Sequence, residues 1–300
     1  MQQQLFHHIF QELEQPMVIV RVTRDVVVFY EVNSAFGRLT GYTGEQLRNK
    51  PVKSVIGPYS DRTAARPFKR EGALTTARKR IVPVRMENKP LDYGSSENGL
   101  TLMQFEDLSA QKWIDRQAEL HQVLVSGVVD TTYHIRYLRD TRTRSLLQPE
   151  VPLEDETFFQ FITESELSRI TDLIPETNQI KKLNTIIIRT VELNGIQLEL
   201  TVSFTPLFDG FGKLKEYAFV ILDYKPVNDF IDSATKLKIW MAKRDISANQ
   251  LSAATNISLQ TISKLRNGKI EKPQRLTAEL IASELRIDVS EIWPEVRKSR

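Results

Sequence analysis

The sequence predicts an α+β front portion followed by an all-α end, and three observations carry that prediction. Within about a hundred residues the chain runs strand, strand, a cluster of short helices, then more strands, which suits an antiparallel sheet with short helices and not a parallel α/β repeat. From Gly127 the same cycle begins again, and from Lys236 only short helices are signalled. Three hundred residues leave room for two or three such cores. A composition of 41% hydrophobic and 26% charged residues is that of a globular chain with enough apolar mass to fill them.

Each element has its own signal. Residues 2 to 14 place Leu5, Phe6, Ile9, Phe10 and Leu13 at helical spacing, and Pro16 ends the run. "MVIVRV" and "VVVFYEV", separated by "TRD", read as a hairpin of β-branched strands. "NSAFGRLTGYTGEQLRNKP" is short-helical and punctuated by glycine, and "ARKRIVPVRME" and "GLTLMQFED" read as later strands. Leu108 to Ser126 has a helical pattern free of proline, with Trp113, Leu120 and Leu124 near one face, suited to packing on its own domain or pairing with its copy. In the second cycle "VVDTTYHIRYLRD" reads as a strand pair, "EDETFFQFITESELSRITDLI" as short helices, and "LNTIIIRTVEL", "IQLELTVSFTPLF" and "LKEYAFVILDY" as strands. Asn194-Gly195 is the residue pair a two-residue hairpin turn prefers, and Pro226 closes the segment.

The stretch "EVNSAFGRLTGYTGEQLRNKP" resembles the PAS family, with a strand ending at Asn33, a helix from Ser34, the Leu39 to Tyr42 turn and a helix closed by Pro51. "FEDLSAQKW" resembles the acidic strand end from which PAS domains run into a connecting helix. "FFQFITESELSRI" and "FVILDY" carry a weaker likeness in the second cycle. The resemblance implies a PAS domain at residues 15 to 107, a linker helix at 108 to 126 and a second PAS-like domain at 127 to 225, after an amphipathic helix at 1 to 14. It further implies small-molecule sensing or dimerisation, with Tyr30, Phe36 and Tyr42 candidates for one ligand pocket and Tyr133, Tyr137, Phe158 and Phe161 for another; ordinary packing is the competing role for each.

Charge is distributed unevenly. Residues 236 to 300 hold 13 Lys and Arg against 7 Asp and Glu, while the whole chain carries only +3, so a polyanion would be met at this end. Here Ser247 is a natural N-cap for "ANQLSAAT", Ser258 caps "LQTISKLRNG", and Gly268 stops it. Two short helices joined by a tight turn form a helix-turn-helix. Leu251, Ile257, Ile262 and Leu265 are apolar where the two helices face each other, Ser252 is small, and Asn256 tolerates the left-handed turn. Leu276, Leu280, Leu285, Ile287 and Ile292 are expected to close the core.

These residues, with "TISKLRNGK", resemble the Cro and lambda-repressor-like (XRE) helix-turn-helix family over residues 236 to 293, in a domain that we place at 236 to 300. The resemblance implies double-stranded DNA as partner, with Leu259, Gln260, Thr261 and Lys264 facing bases and Ser247, Asn267 and Lys269 approaching phosphate. Gln260 suits adenine and Lys264 guanine, while Leu259 offers only apolar contact, as to a thymine methyl. A homodimer on a palindromic operator follows from the way this fold reads paired half-sites.

Other classes fit poorly. No phosphate loop, dinucleotide fingerprint, zinc-protease pair or nucleophile elbow occurs, and Glu154, Asp155 and Glu156 fall in a solvated loop, so no enzyme is expected. With no cysteine, disulfides, cysteine-ligated metals and a cysteinyl flavin adduct are excluded. His134 is the only histidine placed in a sensor core, a thin basis for haem; His7, His8 and His121 lie on helices outside the cores and no metal site is expected. The cofactor stays unknown, with a small organic ligand, noncovalent flavin or haem left open. No apolar run reaches the ~18 residues of a membrane span and the first residues lack a signal-peptide pattern, so a cytoplasmic transcription regulator is expected. A PAS-based protein adaptor and a redox or gas sensor are the alternatives.

Overall fold

The computed structural model describes residues 2–23, 26–57, 67–91, 99–140, 156–171, 184–193, 196–227 and 231–296. The chain divides into one unit of Met1–Arg116 with Pro206–Ala218, and another of Gln117–Thr205 with Phe219–Arg300. Each of the two sheets has five strands, and their orders are the same: β2-β1-β5-β4-β3 and β7-β6-β10-β9-β8.

In the first unit helix α1 (Gln2–Glu12) precedes β1 (Met17–Val22) and β2 (Val27–Val32), an antiparallel pair. Short helices α2 (Ser34–Thr40) and α3 (Gly44–Leu47) and a 3-10 turn at Val52–Ser54 follow, then β3 (Phe68–Thr75), β4 (Ile81–Leu91) and β5 (Gly99–Asp107). The switch from β2 to α2 is made by Asn33, which is 1% exposed. Its Oδ1 accepts from the backbone of Met17 and Phe36, both at 2.9 Å, and its amide donates to the carbonyls of Leu13 (3.2 Å) and Gln15 (2.8 Å). One side chain thus caps α2 and fixes the entry of β1, a set of donors and acceptors that aspartate could not supply. Gly41 ends α2 in the left-handed conformation at φ 76°, and Thr43 with Gln46 forms a capping box on α3. The core beneath is sealed by aromatics: Phe29, Phe36 and Phe105 are all fully buried, with ring centroids 6.1 and 5.0 Å apart along that chain of three.

The structure differs from the sequence expectation at three places in this region. The strand β3 went unforeseen, because "FKREGALT" puts Lys69 and Glu71 on an exposed edge and so lacks apolar alternation. "ARKR" forms the turn before β4, not part of the strand. Helix α4 (Ser109–Leu120) ends six residues short of the sequence expectation, and Val125 already opens β6. The Leu124 N–H donates to the Ile221 carbonyl at 2.9 Å, so the sheet claims those residues. Ile114 and Gln117 of α4 are buried, so the helix packs on protein and Leu120 alone of its large apolar residues is markedly exposed, at 65%.

The second sheet contains β6 (Val125–Asp130), β7 (Ile135–Asp140), β8 (Asn184–Leu193), β9 (Ile196–Phe208) and β10 (Leu214–Pro226), with a 3-10 turn at Phe158–Phe161 and a helix α5 over 164–171. The turn expectation at Asn194-Gly195 lies outside the described residues. Helices α6 (Ser233–Arg244), α7 (Ala248–Thr255), α8 (Leu259–Arg266) and α9 (Arg275–Glu284) complete the chain, with a 3-10 turn at Val289–Glu291.

Helix α6 buries two faces. Leu237 and Met241 join the core of the helical domain, with Leu251, Ile262, Leu265, Ala278, Ile281, Leu285, Ile292 and Trp293. Ile239 and Ala242 pack with Leu124, Val125, Leu198 and Tyr224 of the second sheet. Lys243 closes that contact: its Nζ lies 2.6 Å from Asp223 and 5.3 and 5.0 Å from the Tyr224 and Trp240 ring centroids. Leu285, Ile287 and Ile292 serve the core as expected, whereas Leu276 and Leu280 are 66% and 39% exposed. The buried stripe of α9 is Ala278, Ile281, Ala282 and Leu285, at spacings of three, four and seven, which turns the Leu276–Leu280 row outward.

Candidate nucleic-acid interface

The helix-turn-helix is built by its caps. The Ser247 hydroxyl accepts from the Gln250 N–H at 3.2 Å, while the Gln250 side chain accepts from the Ser247 N–H at 2.8 Å, closing a capping box on α7. Asn256 ends α7 in the left-handed conformation, φ 56°, the role expected of it. The Ser252 hydroxyl donates to the Ile257 carbonyl at 2.6 Å across the turn, so a small side chain there also ties the two helices. Ser258 then caps α8 through the Thr261 N–H, and Gly268, φ 68°, releases the chain after Asn267.

Burial divides α8 cleanly. Ile262 and Leu265 are buried in the core, and Leu259, Gln260, Ser263 and Lys264 are exposed on the opposite side. Neither Gln260 nor Lys264 has a side-chain hydrogen bond or ion pair among the described residues, so both present free donors. Thr261 differs, being half-buried with its hydroxyl 2.8 Å from that of Ser258, which leaves mainly its methyl group for an outside partner. Ser263 was not singled out from sequence; its neighbours on the exposed face were the available signal. Ser247, Asn267 and Lys269 are exposed, Asn267 leaning on the Ser263 hydroxyl at 3.4 Å. Lys272, by contrast, is paired with Glu295, which raises its ammonium pKa and occupies a charge otherwise suited to phosphate.

The pocket candidates separate. Phe36 is fully buried and fills the first core. Tyr30 follows Phe29 on a strand, so it points to the other face, where it and half-buried Tyr42 line a surface groove of about 370 Å³. Tyr137 is 40% exposed because a bulge between Val128 and Val129 shifts the pairing and turns it outward. Tyr133, Phe158 and Phe161 are half-buried. Tyr133 meets Phe158 and Phe159 with centroids at 5.8 and 4.7 Å, and burial pushes its phenol pKa up. Phe159, missed from sequence, belongs to this cluster.

His134 is not a core residue. It sits in the β6–β7 turn with its side chain 39% exposed, its Nδ1 2.9 Å from the Thr132 hydroxyl. The same turn is organised by Asp130, which accepts from the N–H groups of Thr132 and His134, the Thr132 hydroxyl and the Arg136 guanidinium. Burial disfavours its charge, but these hydrogen bonds outweigh burial and bring the carboxyl pKa down to about 2. Among the described residues no group of three His, Cys, Asp or Glu is placed to hold a metal.

Residues 236–293 match the Cro/C1-type HTH DNA-binding domain family, and the C-terminal helices are a domain of that type. No curated protein matches the chain. Solved structures similar to it include a PAS domain from a two-component sensor histidine kinase, 16% identical over 35% of this chain and 96% of that one, TM-score 0.31. The PAS domain of an HTR-like protein from Haloarcula marismortui is 12% identical, covering 35% and 91%, TM-score 0.30. A LOV domain from a blue-light activated histidine kinase of Erythrobacter litoralis is 15% identical, covering 32% and 98%, TM-score 0.29. At these scores the likenesses carry no argument of their own; the two sheets themselves, in one order with short helices, fit tandem PAS-like domains. No helix among the described residues is long and apolar enough to cross a membrane.

Proposed function

We propose that the chain is a signal-responsive transcription regulator whose Cro/C1-type domain reads a two-fold DNA operator as a homodimer, under the control of its PAS-like domains, and that it acts in the cytoplasm without enzymatic activity. The observation that carries this reading is the free, exposed side of α8, where Leu259, Gln260 and Lys264 stand on one short helix over a buried core. Gln260 and Lys264 read base edges, Leu259 and the Thr261 methyl make apolar contact, and Ser247, Asn267 and Lys269 meet phosphate.

The second sheet is the better ligand site, because its Tyr133, Phe158 and Phe159 rings are half-open while Phe29, Phe36 and Phe105 close the first. A planar organic molecule suits such rings. A shift in that sheet reaches α6 through Ile239, Ala242 and Lys243, and so reorients α8 in its groove. Duplexes selected from random sequence by the full chain test the proposal. Gln260→Ala with Lys264→Ala is expected to weaken the selected site tenfold or more, each lost base contact being worth ~1–3 kcal/mol. Unchanged affinity in a folded double variant overturns it.

A further inference from the structure

Three helices end at one cleft, and every residue lining it belongs to the second unit. α4 stops at Leu120, α6 at Arg244 and α9 at Glu284. Between those ends lies a cavity of about 680 Å³ whose walls include His121, Gln122, Arg244, Ile246, Glu284 and Arg286. Small-molecule sites run from ~300 to ~1,000 Å³, so the cleft has room for an organic ligand. Helix ends by themselves make such a place negative, because the last carbonyls of a helix lack partners. Here they are met from within. The Arg244 guanidinium donates to the carbonyls of Leu285 at 2.9 Å and Arg286 at 3.4 Å, and the Gln122 amide donates to the Lys243 carbonyl at 2.8 Å.

With that role filled, Arg286 and His121 are left over. Both are exposed, and neither side chain has a hydrogen bond or ion pair among the described residues. Lys243, beside Arg244, is by contrast paired with Asp223. Arg286 also stands in the left-handed conformation, φ 54°, so a cationic side chain occupies a position where glycine is the unstrained residue. Two guanidiniums face the cleft against the single Glu284 carboxylate. We infer that the cleft binds a small organic anion, a di- or tricarboxylate or a phosphate ester. Arg286 and the remaining N–H groups of Arg244 hold its charged groups, His121 stands beside them, and Ile246 lies against its carbon skeleton. Occupancy bears on α7 directly, because Ile246 is followed by Ser247, the N-cap set against phosphate above. This regulatory half rests on the DNA-binding reading, whereas binding itself rests on the cleft alone.

Calorimetric titration of the full chain with citrate and with pyrophosphate, at ionic strength held constant with sodium chloride, tests the site and separates carboxylate from phosphate. At least one probe is expected to bind once per chain, Arg286→Gln to weaken it tenfold or more, and Glu284→Gln to tighten it. Both side chains are exposed, so the circular dichroism spectrum stays unchanged, and a merely structural disturbance would move the two variants the same way. Binding of neither probe at millimolar concentration overturns the inference, as does equal binding by wild type and Arg286→Gln. On duplexes selected by the wild type, the bound probe is expected to change affinity roughly threefold or more, and to change nothing in Arg286→Gln; an unaltered wild-type affinity removes the regulatory half. If Arg286→Gln weakens the duplex with no probe present, the cleft is a DNA contact and the inference falls. Binding of a probe by a chain that selects no duplex would sink the DNA reading and leave the cleft standing.

Discussion

The two sheets share one strand order and differ in how the helical side closes over them. In the first, Asn33 and three fully buried phenylalanines lock α2 onto the strands. In the second, the described residues between β7 and β8 include a 3-10 turn whose four residues include no buried one, and Tyr133, Phe158 and Phe159 gather half-open. The same strand order therefore carries one closely packed aromatic cluster and one more open one, and the difference among the described residues lies in the side chains of a few positions.

That contrast can be broken at its strongest point by Phe36→Ala. Removing a fully buried ring between Phe29 and Phe105 is expected to cost ~3–5 kcal/mol, read as lost protection of β1, β2 and β5 in hydrogen exchange resolved by segment. Asn33→Ala follows, at about 2–3 kcal/mol, because two backbone N–H groups and two carbonyls lose their buried partner together. Protection restored by Asn33→Asp would show that the amide donors are dispensable.

In the second sheet the effects shrink. The Asp130 pKa is about 2 in the folded chain against an ordinary 3.8, so its contribution is complete above pH ~4 and fades as pH falls toward 2. Asp130→Asn is expected to cost about 1–2 kcal/mol at pH 7 and to flatten the dependence of the sheet's melting on pH between 4 and 2. A parallel acid slope in wild type and variant would place the titrating group elsewhere. Phe158→Ala, at a half-buried position, is expected to cost only ~1 kcal/mol while abolishing binding of any aromatic ligand that stabilises the wild type in a thermal-shift screen. A loss as large as that from Phe36→Ala would show the second core to be as closed as the first.

Much of this was legible because certain residues act locally. Ser247, Asn256 and Ser258 are caps and turns whose role depends on their immediate neighbours, and each stands where the spacing put it, whereas the reciprocal bond of Gln250 to Ser247 was not read from the sequence. Asn33 likewise announced the β2–α2 junction, though not that its amide would reach back to Leu13 and Gln15. What escaped depends on distant partners. β3 is a charged edge strand, recognisable only once β4 is beside it. The end of α4 was overrun because Leu124 answers to Ile221, almost a hundred residues on, and Leu276 and Leu280 looked like core until Ala278 and Ile281 were seen to fill it. At the candidate interface, burial on α8 follows helical periodicity, while the tying of the Thr261 hydroxyl to Ser258 is one of several rotamer choices that spacing leaves open.

The tip of the β9–β10 hairpin belongs with the first unit. The Gly210 N–H donates to the Arg38 carbonyl at 2.6 Å, the Arg80 guanidinium donates to the carbonyls of Phe208 and Asp209, and the backbones of Gly41 and Gly210 lie so close that neither has space for a Cβ. On the ribosome this sets a timetable. The first unit emerges early with its sheet and its buried core, drawn from Val18 to Phe105, and the hairpin tip that docks on Arg38 and Arg80 is added about ninety residues later. An excised fragment ending at the close of β5 would keep that core and lose the contacts of the hairpin tip.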